Sequence, residues 1–241
     1  MFRPAAAEEL ARAGAPHRWR LVGRILMSPW RRKVHLAEKL PAAGGVIVVA
    51  NHLTYLDGPL VYRISPRPMH LLVRHDIFKG IVGWALKSSG QIPIDRASND
   101  RNALGTALRV LRRGDVLGIF PEGTRGEGSA SSVRSGAAWL ALQAEVPIVP
   151  VAVLGTRRGG EPSRFLPPPG RKIDIVFGDP VYLEKPAGQS GRAARLAASK
   201  QLQAILANHV RQSLQLTGQT LPSVAQADMV ASSTPNGDAN F

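Results

Sequence analysis

The sequence predicts an α/β fold: a mostly parallel central sheet flanked by helices, preceded by an N-terminal amphipathic, interfacial helical segment. Short apolar runs rich in Val and Ile alternate with helical patterns, an order typical of parallel sheets covered by helices. The chain of 241 residues is 44% hydrophobic, enough to bury a sizeable core. Because it contains no cysteine, the core and not a disulfide framework must hold the fold together.

Residues 1–40 are predicted to form an N-terminal segment that associates with a membrane. Between residues 17 and 33 the spacing is helical, with tryptophans on an apolar stripe and arginines on another face, as in helices that lie in the lipid interface. An ordinary amphipathic helix packed on the protein's own core explains this pattern equally well, so both interpretations stay open. The residues expected at the membrane are Trp19, Arg20, Arg24, Trp30 and Arg31.

Residues 41–216 are predicted to form the main domain. Apolar runs predict strands over residues 45–50, 69–73, 92–94, 116–120, 148–154 and 173–177. Helical patterns fall at about residues 58–64, 78–88, 99–113, 133–145 and 191–216. Residues 217–241 are polar and without periodicity, which predicts a disordered tail. No run reaches the roughly 20 apolar residues that a membrane-spanning helix needs.

The charge of the chain points to an anionic partner. Thirty-one Lys and Arg against 17 Asp and Glu give a formal net charge of +14, which attracts phosphate-bearing substrates, anionic lipid or nucleic acid. A nucleic-acid-binding protein uses aromatic rings for stacking, and aromatics make up only 5% of this chain, so nucleic acid is not the expected partner. The lack of cysteine also excludes a thiolate metal site and a cysteine nucleophile.

A first polar motif follows the predicted strand 45–50. His52 lies at the carboxyl end of that strand, where ligand sites of parallel sheets occur, and Asp57 is close enough in sequence to fold back onto it. Such a pair has the arrangement of a general base and the carboxylate that orients it. The alternative is that Asp57 or Thr54 caps the next helix and His52 is structural. Asn51 and Thr54 are predicted to support the motif.

A second polar motif, FPEGTRG at residues 120–126, follows another predicted strand. A glycine-rich turn with a hydroxyl, an arginine and exposed backbone N–H groups suits a phosphate ester. A further arginine follows the short strand 92–94. No phosphate-binding Walker loop, dinucleotide fingerprint, serine-hydrolase elbow or zinc-protease motif is present. The candidate phosphate-binding residues are Arg96, Glu122, Gly123, Thr124 and Arg125.

Together these motifs resemble the four sequence blocks of the 1-acyl-sn-glycerol-3-phosphate acyltransferases, the lysophosphatidate acyltransferases of bacterial type. His52 and Asp57 match the first block, residues 92–96 the second and residues 120–126 the third. The sequence departs from the family at Thr54, where serine is usual. By resemblance, the fourth block shapes the acyl or acceptor pocket, although its composition alone predicts a core strand. Its residues are Val146, Pro147, Ile148 and Pro150.

The resemblance implies acyl transfer from acyl-CoA or acyl carrier protein to the free hydroxyl of lysophosphatidic acid. A thioester carries a good leaving group, so an alcohol activated by His52 can attack it directly, without an enzyme nucleophile, cofactor or metal. The expected location is peripheral, on the cytoplasmic face of the cell membrane, with an anionic membrane surface as partner. Glycerol 3-phosphate, a lysophospholipid and a lyso-glycolipid remain open as alternative acceptors.

Overall fold

The computed structural model describes residues 28–95, 100–122, 127–130, 133–185 and 191–222. The strands are β1 (Arg31–His35), β2 (Val46–Ala50), β3 (Met69–Arg74), β4 (Ile92–Ile94), β5 (Val116–Ile119), β6 (Ile148–Leu154) and β7 (Lys172–Phe177). The helices are α1 (Asp57–Ile64), α2 (Gly80–Ser88), α3 (Arg101–Arg112), α4 (Ser135–Ala144) and α5 (Gly191–Thr217). Short 3₁₀ turns lie at Ala37–Lys39 and His75–Ile77.

The seven strands form one sheet in the order β1-β7-β6-β2-β5-β3-β4. The five strands from β6 to β4 run parallel to one another, whereas β7 is antiparallel to β6 and β1 is parallel to β7. The predicted α/β class with a mostly parallel sheet is therefore confirmed. Each strand and helix predicted within the main domain is present, with shifts of only a few residues at the ends.

Helices cover both faces of the sheet because its central strands are buried on both sides. On β2, Ile47 and Val49 pack in a cluster with side chains of α3, α4 and α5. Val48 and Ala50 point to the other face, where they share a cluster with Leu60 of α1. This alternation is the period of two expected of a strand, and it makes β2 the rigid centre from which the polar motif at residues 51–57 extends.

The amino-terminal boundary differs from the prediction. Residues 31–35 form the edge strand β1 and belong to the sheet, so the helix expected over residues 17–33 does not include its last residues and the main domain begins before residue 41. Trp30 is buried, and its indole Nε1–H donates to the Pro167 carbonyl at 2.8 Å. Trp30 is thus a core residue and not a membrane contact. Trp19, Arg20 and Arg24 lie outside the described residues.

The carboxy-terminal boundary also differs. Helix α5 ends at Thr217, but Leu221 is buried in a cluster with Leu206 and Val210. The Gln219 side chain donates to Asp174 Oδ2 at 2.8 Å. The prediction of a disordered tail from residue 217 is therefore wrong for residues 218–222, which pack on the domain, and residues 223–241 lie outside the described part of the chain.

Within the described residues, no helix combines the length and the apolar character needed to cross a bilayer.

Candidate active site

The two polar motifs, at residues 51–57 and 120–126, follow the carboxyl ends of two neighbouring strands. Strands β2 and β5 are paired, with Val49 opposite Ile119. His52 follows the end of β2 and Phe120 follows the end of β5, so their rings stack with centroids 4.4 Å apart and an angle of 30° between planes. The parallel register thus brings together two motifs that are about 70 residues apart in sequence.

Asp57, the first residue of α1, is fully buried and organises the turn after β2. Its Oδ2 atom accepts the backbone N–H groups of Leu53 at 2.6 Å and Thr54 at 2.7 Å. Its Oδ1 atom accepts the Thr156 hydroxyl at 2.8 Å. These three donors fix the buried carboxylate in one position within the turn.

The His52 ring lies against this carboxylate, with Nδ1 2.9 Å from Asp57 Oδ2. Because Oδ2 already accepts two backbone N–H groups, we assign the proton of this bond to Nδ1, which leaves the lone pair on Nε2. The His52 side chain is 14% exposed, so solvent or a ligand can reach the ring. This is the arrangement of a general base with an orienting carboxylate.

Helix capping does not explain the motif. The N-cap of α1 is Leu56, and no side chain bonds to the helix as a cap. The Asp57 carboxylate instead accepts N–H groups of residues that precede the helix. The alternative of a capping Asp57 with a structural His52 is therefore not the arrangement observed.

Asn51 and Thr54 make hydrogen bonds that hold the turn in place. Asn51 is fully buried and makes two bonds to Val153 of β6: its Nδ2 donates to the carbonyl at 3.1 Å and its Oδ1 accepts the N–H at 2.7 Å. The Thr54 hydroxyl accepts the Leu56 N–H at 3.3 Å. These contacts attach the residue before His52 to the neighbouring strand and fix the direction in which His52 leaves the sheet.

Glu122 lies behind the same turn. Its Oε1 accepts the backbone N–H of His52 at 3.3 Å. Burial, reinforced by the nearby Asp57 charge, raises the pKa of Glu122 to about 7, against the opposing effect of the His52 and Ala130 N–H groups. Glu122 therefore contacts the backbone of the turn that carries His52, a position that its sequence motif alone did not indicate.

The loop after this motif passes close over the turn at Gly128. Gly128 has a φ of +74°, and a Cβ there would lie 2.5 Å from Leu53 Cδ2 and 2.9 Å from Asn51 Nδ2. Only glycine combines this backbone conformation with such a close approach. The loop is thus packed directly on the residues that flank His52.

Other predicted site residues are not brought close to His52. Ile148 pairs with Ile47, five residues before His52, so the start of the fourth block lies at the amino ends of the strands, away from the His52 ring. Val146 and Ile148 are buried core residues, and Pro150 is level with Val49. That this block shapes the acyl or acceptor pocket stays a prediction, and the structure places Val146 and Ile148 in the core at the edge of the sheet opposite His52. Arg96, Gly123, Thr124 and Arg125 lie outside the described residues.

Thr156, which follows the carboxyl end of β6 and is fully buried, was not among the predicted site residues. A polar residue directly after a predicted strand was a usable signal, since the other site residues occupy equivalent positions. Its partner Asp57 lies 99 residues away, so only the sheet order reveals the contact. Among the described residues, no three His, Asp or Glu side chains are grouped so that they could hold a metal ion.

Comparison with known proteins places the chain in a family. The acyltransferase family model matches residues 31–154. A 1-acyl-sn-glycerol-3-phosphate acyltransferase of Bacillus subtilis is 30% identical over 152 residues, which cover 62% of this chain and 73% of that protein. A protein of the same name from Streptococcus pneumoniae is also 30% identical, over 61% of this chain and 54% of its own length.

A solved structure has the same fold. The crystal structure of the 1-acyl-sn-glycerophosphate acyltransferase PlsC from Thermotoga maritima is similar with a TM-score of 0.62 and 24% sequence identity. The match covers 82% of this chain and 78% of that one.

Proposed function

The chain belongs to the acyltransferase family, and we propose that it transfers a fatty acyl group from an acyl thioester to the free hydroxyl of 1-acylglycerol 3-phosphate, forming phosphatidic acid for phospholipid synthesis. The observation that carries this proposal is the His52–Asp57 pair, 2.9 Å apart at the carboxyl edge of the sheet. The names of the matched relatives support the choice of acceptor.

His52 acts as the general base in this reaction. Its Nε2 takes the proton of the acceptor hydroxyl while the oxygen attacks the thioester carbonyl, forming a C–O bond and a tetrahedral oxyanion. Collapse of that intermediate breaks the C–S bond, and the proton on His52 passes to the departing thiolate. Asp57 holds Nδ1–H and stabilises the imidazolium formed in between.

The donor is a thioester of coenzyme A or of acyl carrier protein, used as a co-substrate and not as a bound cofactor. The thiolate leaves readily, so direct attack by the acceptor suffices. This route agrees with the absence of cysteine and of a serine-hydrolase elbow from the sequence.

The acceptor phosphate is proposed to bind beside His52. Glu122 already contacts the backbone of the catalytic turn, which supports a phosphate site formed by the rest of its motif. Arginine holds phosphate through two parallel bonds that lysine does not reproduce. The assigned residues are Arg96, Gly123, Thr124 and Arg125, with Glu122 as their neighbour. Arg125→Lys and Arg96→Lys are expected to raise the acceptor KM far more than the donor KM, and a reversed pattern would assign the arginines to the donor.

A lipid acceptor implies work at a bilayer. We place the protein peripherally on the cytoplasmic face of the cell membrane, attracted by its net charge of +14. Trp19, Arg20 and Arg24 remain the proposed contacts of the N-terminal segment.

The decisive experiment offers the purified protein one long-chain acyl thioester and a panel of acceptors: lysophosphatidic acid, glycerol 3-phosphate, a neutral lysophospholipid and a lyso-glycolipid. Thiol release and mass spectrometry of the product measure rate and position. Phosphatidic acid as the main product, and its loss in His52→Ala, are the expected results. Equal rates on acceptors without a phosphomonoester would overturn the proposed acceptor, whereas no transfer to any acceptor would overturn the function.

A further inference from the structure

Helix α2 has its apolar side chains on the outside. Ile81, Val82 and Trp84 are 85%, 56% and 61% exposed. Gly83 faces inward, and a Cβ there would lie 2.3 Å from the Phe78 backbone, so the helix packs through its smallest residue. Single exposed apolar residues are common, but three within two turns of one short helix mark a surface that contacts something apolar.

This face lies at the same edge of the sheet as His52. Strand β3 runs parallel to β5 and, through it, to β2, so its last residue, Arg74, is at the carboxyl edge. Helix α2 begins six residues after Arg74. The residues after its other end return to the beginning of β3, where His70 Nδ1 donates to the Gly90 carbonyl at 2.7 Å. The first turn of α2, with Ile81 and Val82, is therefore the part nearest the catalytic edge.

The catalytic turn extends toward this helix. Tyr55, between His52 and Asp57, is 49% exposed. The Asp76 carboxylate and, more weakly, the Tyr55 hydroxyl raise the pKa of Arg74, so Tyr55 lies near the end of β3. Tyr55 and the segment that leads into α2 thus both lie near the end of β3.

Two other features point to the same edge. The described chain enters the sheet there, because Arg31 is in register with Lys172 at the beginning of β7, and β7 runs antiparallel to β6. Leu166, in the connection between the carboxyl end of β6 and the start of β7, is 61% exposed. The described chain therefore begins on the side where these apolar groups are exposed.

The charges around α2 indicate what binds its exposed apolar face. Arg74, Lys79 and Lys87 are exposed, against the single exposed carboxylate of Asp76 between Arg74 and Ser88. An apolar face bordered by basic side chains complements a bilayer with anionic headgroups, since the rings and aliphatic groups enter the interface while the cations remain at the phosphates.

We propose that the exposed face of α2, formed by Ile81, Val82 and Trp84, inserts into the interface of an anionic bilayer and holds the carboxyl edge of the sheet against it. This inference rests on the proposed function, which supplies a lipid acceptor, and it explains how that acceptor reaches His52 without leaving the membrane. It assigns a membrane contact to the main domain, separate from the N-terminal segment.

The absence of cysteine makes a direct test possible. In the Val82→Cys variant, the introduced cysteine is labelled with a single environment-sensitive fluorophore. Leu196→Cys is the matched control, because Leu196 is 58% exposed and its neighbours Ala194 and Arg195 line a groove with Val146 at the opposite edge of the sheet. Substrate-free phosphatidylcholine vesicles with and without phosphatidylglycerol are the probes. The Val82 label is expected to shift to the blue and brighten with anionic vesicles, less so at high salt, while the Leu196 label does not respond.

A second measurement uses Trp84→Ser and the control Leu196→Ser. Loss of the tryptophan is expected to lower vesicle affinity by about tenfold, whereas the control leaves it unchanged. Turnover of a short-chain, monomeric acceptor should stay the same in both variants. A response that persists when the wild type transfers no acyl group would leave the docking surface intact and reject the proposed function.

Three results would overturn the docking proposal. A Val82 label that does not respond to vesicles, or a Leu196 label that responds equally, removes α2 as the contact. A Val82 label that is already blue-shifted without lipid, and does not change on adding it, shows that another part of the chain or a second copy covers the helix.

Discussion

Two histidine–aspartate pairs in this sheet have nearly the same dimensions but different surroundings. In the catalytic turn, His52 Nδ1 lies 2.9 Å from Asp57, and at the β1–β7 edge His35 Nε2 lies 2.9 Å from Asp174. Both imidazoles are 14% exposed, and both carboxylates are almost fully buried. Distance and burial therefore do not distinguish the pair that we assign to catalysis.

The partners of the two carboxylates do distinguish them. The other described donors to Asp57 are neutral: backbone N–H groups and hydroxyls. Asp174 has in addition the Lys172 ammonium at 3.3 Å. Burial raises the pKa of Asp174, but bonds from Gln219, His35 and Lys172 outweigh it, so the pKa lies below its usual value. Among the described residues, Asp57 therefore has neutral donors besides His52, whereas Asp174 is also paired with a lysine.

The two histidines also differ in which ring nitrogen remains after the bond to the aspartate is made. His52 uses Nδ1 for its aspartate and keeps Nε2, the nitrogen farther from the backbone, for an acceptor. His35 uses Nε2 and keeps only Nδ1, next to its own main chain. We infer that His52 is better placed than His35 to act as a base, because among the described residues Asp57 has no other cation and the outer nitrogen of His52 is not bound to the aspartate.

The largest expected effect separates the two histidines. His52→Ala should lower kcat by roughly 10²- to 10⁴-fold, the usual contribution of a positioned general base. His35→Ala should retain kcat within a few-fold but melt at a lower temperature, because it removes a partner of buried Asp174. Thiol release and thermal unfolding measure the two properties. Similar losses of kcat in both folded variants would refute the distinction.

Thr156 tests whether neutral donors position Asp57. Thr156→Val removes the hydroxyl that donates to Asp57 Oδ1 at 2.8 Å, and a bond to a charged group is worth about 1.5–3 kcal/mol. We expect kcat to fall about tenfold with little change in the acceptor KM. Thr156→Ser, which keeps the hydroxyl, should restore kcat. If serine restores only the melting temperature, Thr156 is structural and does not position the base.

The contrast between local and distant contacts also explains what could be predicted. His52 and Asp57 are five residues apart, so their contact follows from one strand and one turn. Thr156 and Trp30 have partners 99 and 137 residues away, which no local pattern contains. Strand β1 was missed because its charged sequence, RRKVH, lacks an apolar run and pairs only with the distant β7. The fold class and the His52–Asp57 contact were predictable, whereas edge strands and distant supporting contacts depend on the sheet order.

A truncation tests the β1–β7 edge of the sheet alone. Deleting residues 218–241 removes Gln219, a donor to Asp174, and Leu221, whose burial contributes about 1.5–3 kcal/mol. The melting temperature should fall by several degrees, since about 1 kcal/mol corresponds to roughly 2–4 °C in a domain of this size. Deleting only residues 223–241 is expected to change nothing. The kcat at low temperature should survive both deletions, and a loss confined to kcat would connect this edge to catalysis.

A further effect, on stability alone, is expected from two glutamates whose surroundings differ as those of Asp57 and Asp174 do. Glu122 accepts the His52 N–H and lies near the Asp57 charge, and its burial raises its pKa from 4.5 to about 7. Glu161 is held by the Arg171 guanidinium at 2.6 Å and 3.1 Å, which lowers its pKa. Their contributions to stability should therefore depend on pH in opposite directions.

For Glu122, the folded protein binds the proton more tightly than the unfolded chain. Its contribution is fully present below about pH 4.5 and is lost as pH rises to about 7. Wild type should therefore lose stability relative to Glu122→Gln over this range, by several degrees in melting temperature. For Glu161 the sign reverses: the contribution is present above the unfolded pKa and is lost on acidification, so wild type loses its advantage over Glu161→Gln only at acid pH. Melting curves of the three proteins across this pH range measure both effects. Parallel curves for wild type and Glu122→Gln would show instead that Glu122 ionises in the folded state as easily as in the unfolded chain, and that its burial beside His52 has no effect on its charge.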